Sequence, residues 1–446
     1  MVKRFISVLT LLCLGHGIAF AQESAPQASE QSSESSRSEN PVSEAETPEE
    51  SFENPNDLDL DSLQDQLDLQ SFEAFGLQQR FADFRKALPF DFFGSLAVRH
   101  CAMANEKFDV LGNVLQMRLS AGVRGRLDSH WSYGLRVLST QNDSFNLSWF
   151  PTGGSSIARM PFYLDRYHIS WQRQPEPGES FVPALQLDFG KARNTLFETQ
   201  LLFDEDVSFN GLQQHLRWKN PALSAGPSTG AFDWDTVELS LHEDVLLMEE
   251  TFITASLWAV KALSRWKVPE GSAQASAGYL HYVGTDALAA QTYNPGYRGP
   301  YSTGNRRQSG RAPGFLNDFR LLNVSAQWQW QPQKWPEIQL MGDLVYNTAA
   351  PDRNRGAWLG GHLGKLSQPG DWQVEYAYRW MEQDYQLDLM VDEFFAGTDV
   401  QGHSVNVNYM LTEKTRATAT VLTRQRITEP ELGLLTVVYL TLRQDF

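Results

Sequence analysis

Cysteine is scarce: two occur in 446 residues, and Cys13 lies in the N-terminal leader. A mature chain that keeps only Cys101 has no internal disulfide and no cysteine metal cluster. Beyond residue 21 no stretch reaches the roughly 20 apolar residues a membrane-spanning helix needs, and the mean hydropathy is −0.39. That excludes helical spans but not a membrane barrel, whose strands turn half of their residues to water. Basic residues are outnumbered, 37 Lys and Arg against 54 Asp and Glu, and the net charge of −17 argues against a nucleic-acid partner. Neither Gly-x-Ser-x-Gly nor His-Glu-x-x-His occurs, and the histidines, His100, His215, His242 and His281 among them, stand singly along the chain. A hydrolase needs a nucleophile, a base and an orienting group held together, so the chain does not read as an enzyme, and no cofactor or metal is expected. Asp204, Asp206, Ser208 and Asn210 space oxygen ligands at alternate positions. Their order is not that of an EF-hand loop, and no glutamate closes the set.

The leader has the features of export. Lys3 and Arg4 precede an apolar stretch, residues 5–14, that is too short to cross a bilayer. Ala19-Phe20-Ala21 supplies a small-x-small cleavage pattern, so residues 1–21 read as a signal peptide. Residues 22–57 are rich in Ser, Glu, Pro and Gln, with Arg37 their only base. Such a segment cannot bury enough apolar surface to offset its chain entropy, and it is expected to be disordered. In residues 58–90, Leu63, Leu67, Phe72, Phe75, Phe81, Phe84 and Leu88 recur at near-helical spacing until Pro89. They predict a short amphipathic helix on the barrel rim, or a lumen plug or oligomerisation helix.

What fills residues 91–446 is alternation. In 372–380, Trp372, Val374, Tyr376, Tyr378 and Trp380 take one parity, and Gln373, Glu375, Ala377 and Arg379 the other. In 323–331, Val324, Ala326, Trp328 and Trp330 oppose Asn323, Ser325, Gln327 and Gln329. The stretches 115–126 and 405–411 read the same way. A side-chain period of two belongs to strands. Aromatics at strand ends and charges on the polar parity fit a cylinder with lipid outside and water inside. The fold expected is all-β: a transmembrane antiparallel β-barrel of about sixteen strands, with fourteen or eighteen as alternatives. Tight links such as 128–130, 332–334 and 412–413 alternate with long ones at 141–162, 193–210, 286–318 and 383–400, which predicts short turns at one end and loops at the other. An even count puts both barrel ends on the periplasmic side. The residues of 220–232 form a long link where a short one is expected, and alanines blur the faces near 252–262 and 271–285.

Arg99, Arg118, Arg124 and Arg136 all fall on the polar parity of the first three strands, so they are expected to line one side of a lumen. The 193–210 link, between the fifth and sixth strands and so the third external loop, carries Glu198, Asp204, Glu205 and Asp206. If it folds inward, arginines on the wall face carboxylates on the loop, and the field between them orients dipolar solutes. The alternative is a solvated external loop, with the arginines paired to lumen acids. The 286–318 link holds Arg298, Arg306, Arg307 and Arg311. It reads as a flexible solvated loop, or as a surface for lipopolysaccharide phosphates or anionic solutes.

Two resemblances follow from these residues. An alternating stretch that closes on Phe446 resembles the last strand of bacterial outer-membrane barrels, which implies that Phe446 is a signal to the barrel-assembly machinery. Leu164-Asp165-Arg166-Tyr167-His168-Ile169, Leu187-Asp188-Phe189-Gly190-Lys191 and Phe203-Asp204-Glu205-Asp206-Val207-Ser208-Phe209-Asn210-Gly211 resemble successive blocks of the bacterial "putative porin" family, as does Gly134-Leu135-Arg136-Val137. Asn194-Thr195-Leu196-Phe197 departs from the family's Asn-Pro-Phe. The resemblance implies an outer-membrane channel for passive diffusion of small polar solutes, in contact with lipid and lipopolysaccharide, its N-terminus in the periplasm, and as a homotrimer or a monomer. A structural envelope tether acting through residues 22–88 and an outer-membrane hydrolase are the competing readings.

Overall fold

The structure, a computed structural model, describes residues 90–446 except 107–111, 140–149, 152–161, 177–181, 197–198, 205–206, 220–232, 249–252, 293–303, 309–313, 334, 392–394 and 396. The signal peptide, the acidic segment and the amphipathic helix expected before the barrel lie outside the described residues, save Phe90, which opens the first strand rather than ending a helix.

Sixteen strands form the wall, as the alternation predicts. They are β1 (Phe90–Asn105), β2 (Gly112–Arg126), β3 (Trp131–Ser139), β4 (Phe162–Arg173), β5 (Ala184–Arg193), β6 (Ser208–Lys219), β7 (Asp233–Met248) and β8 (Ile253–Val268). There follow β9 (Gly271–Val283), β10 (Arg320–Trp330), β11 (Ile338–Asn347), β12 (Arg355–Gly364), β13 (Trp372–Met381), β14 (Val400–Thr412), β15 (Thr415–Arg426) and β16 (Leu435–Asp445). Each pairs antiparallel with the next, and β1 pairs with β16 from Ser95 opposite Asp445 to Asn105 opposite Leu435, which closes the cylinder. A two-residue strand, Phe150–Pro151, pairs with Gln116 and Met117 of β2 where β3 no longer reaches. Closure leaves no edge groups unpaired in hydrocarbon, which a membrane-spanning sheet requires. At the seam the Gly94 and Phe446 backbones exchange hydrogen bonds of 3.2 and 3.1 Å. A Cβ on Gly94 would stand 2.5 Å from the Phe446 ring, so glycine makes room for the aromatic end of β16.

Side chains alternate between two solvents. On β10, Leu322, Val324 and Trp328 face outward and exposed, while Asn323 and Ser325 are buried on the lumen side. On β13, Trp372 and Tyr376 face out, and Ala377 and Arg379 face in. Trp131 stands opposite Trp171 and Trp234 opposite Trp266 at the short-turn ends, where aromatics meet lipid headgroups. The short turns, such as 269–270 and 413–414, share one end with the start of β1 and the end of β16. The long links 194–207, 284–319 and 382–399 all lie at the other end.

Near that second end the lumen parity turns apolar. Leu257 on β8, Leu280 and Tyr282 on β9, Leu321 on β10, Met381 on β13 and Leu435 and Val437 on β16 point inward and are buried. They pack in one cluster with Leu201, Phe203, Phe315, Phe319, Tyr385, Leu387 and Phe395 of the long links and with Leu288 of the short helix α1 (Thr285–Thr292). The outer half of the lumen is therefore partly filled by a dry core, and open space is left beside the wall made by β1–β3 and β13–β16.

The two faces predict opposite responses to one substitution. Leu359 of β12 is 65% exposed on the outer face. Leu359→Arg is expected to destabilise the folded barrel by about 2–4 kcal/mol. Gln327→Arg, on the lumen parity of β10, is expected to cost little. Urea titration of barrel refolding in lipid vesicles measures both.

Candidate functional site

The β5–β6 link, residues 194–207, runs into the lumen. Its first turn is built by the residues that depart from Asn-Pro-Phe. The Asn194 side-chain oxygen accepts the Leu196 N–H at 2.9 Å, an Asx turn that stands in for the rigidity of proline. The Thr195 hydroxyl lies 3.0 Å from His242 Nε2 and 3.4 Å from His215 Nε2 and the Gln213 side-chain oxygen. His242 Nδ1 lies 3.3 Å from the Asp244 carboxylate, and His215 Nδ1 2.9 Å from the Ser240 hydroxyl. Two histidines expected to stand singly thus meet, their rings edge to face at 5.6 Å. The register explains it: Gln213 of β6 lies opposite His242 of β7, which puts His215 on the same face two residues away. His100 and His281 lie on the outward parity of β1 and β9. Asp244, His242 and Thr195 have the order of a nucleophilic relay, but the hydroxyl is shared with Gln213 and His215, and the arrangement pins the start of the link to the wall.

Further along, the Thr199 hydroxyl donates to Asp343 of β11, which also accepts from Asn323 of β10. Gln200 accepts a hydrogen bond from Arg379 of β13. Tyr385 donates to the Leu201 carbonyl at 2.8 Å, Gln386 to the Leu202 carbonyl at 2.9 Å, and the Asp204 N–H to the Met390 carbonyl at 2.9 Å. Leu201, Leu202, Phe203 and Val207 are buried. Burying such side chains stabilises by roughly 1.5–3 kcal/mol each, so the apolar part of the link drives it inward and the polar contacts set its path.

The described residues of the 284–319 link are packed and bonded, where a flexible solvated loop is expected. Asn305 donates to the Gln383 and Gln386 carbonyls, Arg306 pairs with Asp384 and Asp352, and Arg307 donates to the Ala289 carbonyl while stacking on Phe315. It braces the 382–399 link against the 194–207 link. Arg298 and Arg311 lie outside the described residues.

Opposite this core, Arg99, Arg118 and Arg136 line one cavity of about 290 Å³ together with Gln200 and Asp204 of the inserted link. Arg99 donates to Gln116 at 2.6 Å and stacks on Tyr439. Arg136 donates to Asp165, a residue turned inward by a bulge between β3 and β4. Arg124 lies on the same parity nearer the short turns, 3.9 Å from Asp91, and does not line this cavity. Glu198, Glu205 and Asp206 lie outside the described residues. The sequence reading missed three further arginines of the cavity, Arg379, Arg416 and Arg443. The parity rule that found the first four applies equally to β13, β15 and β16. Wall and link together enclose a cavity in which arginines fixed on one side face the inserted segment on the other.

The family model described as "Putative porin" matches residues 78–291 and 294–443, most of the chain. No curated protein sequence matches. Among solved structures, Pseudomonas putida OprB at high pH is 12% identical, covers 80% of this chain and 94% of its own, and superposes with a TM-score of 0.49. Salmonella typhi OmpF in complex with daunomycin is 7% identical over 80% and 97%, with a TM-score of 0.47. A loop L8 deletion mutant of OmpT, an outer membrane protein of Vibrio cholerae, is 10% identical over 80% and 99%, with a TM-score of 0.45.

The braced links carry their own pH dependence. Asp388 opens the turn Asp388–Met390; the residue is half-buried, and its Oδ1 is shielded from solvent with no hydrogen-bond partner. Burial pushes its pKa up, against the opposing pull of Arg307. A raised carboxyl pKa stabilises the packed links most below the ordinary carboxylate range, and this contribution is lost as pH rises through the raised value. Amide exchange at Asp204 and Leu387 is expected to quicken, relative to the barrel strands, as pH rises through that window after correction for intrinsic exchange. Asp388→Asn is expected to flatten the response.

Proposed function

The chain belongs to the "Putative porin" family and is an outer-membrane porin, and we propose that small polar solutes cross it by passive diffusion between the arginine wall and the inserted 194–207 link. The observation that supports this reading most is the shared cavity: Gln200 and Asp204 of the link stand with Arg99, Arg118 and Arg136 of the wall. Fixed charges in a narrowed, low-dielectric passage hold oriented water and dipolar solutes, and they disfavour apolar ones, which would strip that water without replacing its bonds. In this reading Glu198, Glu205 and Asp206 add to the link's side, and Arg124 steers solutes at the short-turn mouth.

The protein does no chemistry in this reading. The Asp244–His242–Thr195 line acts as a fastening, because its hydroxyl is committed to the wall. Both barrel ends lie with the short turns, which supports a periplasmic N-terminus. Phe446, half exposed on the lipid face, suits recognition by the assembly machinery before the seam closes. Lipopolysaccharide around the wall and a homotrimeric assembly complete the proposal.

Single-channel recording tests the passage. Phe203→Ala removes a fully buried ring of the link and is expected to weaken its docking by about 3–5 kcal/mol, which should raise conductance and current noise while the barrel stays folded. Asp204→Asn is expected to shift ion preference away from cations. Conductance and selectivity unchanged in both variants would remove the inserted link from the permeation path.

A further inference from the structure

We propose that the short-turn half of this passage holds an oxyanion-binding site, seated on Arg118, Arg416 and Arg443. The inference rests on the channel reading and adds to it the chemical class of solute retained: phosphate-like or carboxylate anions.

The site follows from strand register. Ala97 of β1 lies opposite Arg118 of β2 on one side and opposite Arg443 of β16 on the other. Arg443 in turn lies directly opposite Arg416 of β15. One lateral row across four adjacent strands therefore reads Arg, Ala, Arg, Arg, all on the lumen parity and all lining the same cavity. Neighbouring strands are ~4.8 Å apart, so Arg118 and Arg443 leave backbone positions ~10 Å apart across the small Ala97 side chain. That gap suits an anion reached from both sides by guanidinium groups, whose planar forks match two oxygens at once. Ser95 and Ser120, whose hydroxyls are 2.9 Å apart and share one hydrogen bond, line the same cavity one step along β1 and β2 and leave one further O–H to donate.

Charge balance points the same way. Six arginines line the cavity against two carboxylates, Asp204 and Glu375. Glu375 already accepts from the Asn406 and Asn408 amides. Two more acids stand close by, Asp165 beside Arg136 and Asp445 beside Arg443. With both counted, the described residues leave a surplus of two positive charges. Like charges directly opposite on paired strands destabilise a sheet, and Arg416 faces Arg443 in that relation. Asp445 offsets one of the two, and a bound anion would offset the other. The excess is local, since the whole chain carries −17. Arg416 and Arg443 lie near the short turns, two residues into β15 and three from Phe446, while Arg118 stands midway along β2, and Asp204 of the inserted link lines the same cavity.

The test uses the full chain in planar bilayers. Under a potassium chloride gradient the reversal potential is expected to show anion preference. Inorganic phosphate on the short-turn side is expected to reduce chloride current in a saturable manner, whereas glucose at the same concentration is not. Arg416→Gln/Arg443→Gln is expected to raise the phosphate concentration for half-block about tenfold and to diminish anion preference. Arg118→Lys keeps the charge but loses the fork, and should weaken phosphate block while sparing chloride preference. Cation preference in the unaltered protein, or chloride current indifferent to phosphate, overturns the site without any variant having to fold. An absence of conductance from correctly folded protein would instead strike the channel reading itself.

Discussion

The constraint on which everything else depends is that no backbone amide or carbonyl of the wall can be left unpaired in hydrocarbon. The pairing of β1 with β16 meets it, and the cylinder that results separates two solvents across the thickness of one strand. Period-two alternation then has a fixed meaning: one parity answers to acyl chains and the other to water. Sixteen strands enclose a width that wall side chains alone do not fill. The interior must be furnished from elsewhere, and in this protein the long links furnish it.

They do so in the manner of a soluble protein. Leu201, Phe203, Phe315, Tyr385 and Phe395 leave water to pack on Leu257, Leu280, Met381 and Val437 of the wall. Polar ties then fix the path: Thr195 between two histidines, Thr199 on Asp343, and Tyr385 and Gln386 on successive carbonyls of the inserted link. The core is off-centre, and the polar cavity lies beside it. The arginines of β1, β2, β3, β13, β15 and β16 line that cavity from the lumen parity of their strands.

The strands were legible because alternation is a local property. Trp372 to Trp380 on even positions, against Gln373, Glu375 and Arg379 on odd ones, fixes a face without reference to any other strand. The same rule placed Arg99, Arg118 and Arg136 in the lumen. It lost its grip on β8 and β9, where Ala255, Leu257 and Ala259 point inward and Trp258 and Val260 outward. Both faces are dry there because the inserted links cover the inner one. Leu435 and Val437 carry the same signal: apolar residues on the parity that ends in Arg443. Apolar residues on both parities of a strand's outer half, together with Leu201-Leu202-Phe203 inside a long polar link, mark an internal core. The meeting of His215 with His242 needed the register of β6 against β7, and the brace from Arg306 to Asp352 and Asp384 spans distances along the chain that no local pattern reports.

Those distances bear on how the molecule comes to be assembled. Thr199 and Asp343 are 144 residues apart in sequence, and Leu201 and Tyr385 are 184 apart. Contacts of such high order come late, because the chain entropy of the intervening segments must be lost first. The interior packing draws on strands from β1 to β16, so it has no complete surface to condense upon until the last strand has joined the first. A cylinder without those ties would be the wider and leakier object, so the seam and the narrowing of the lumen are coupled through the same closing contact.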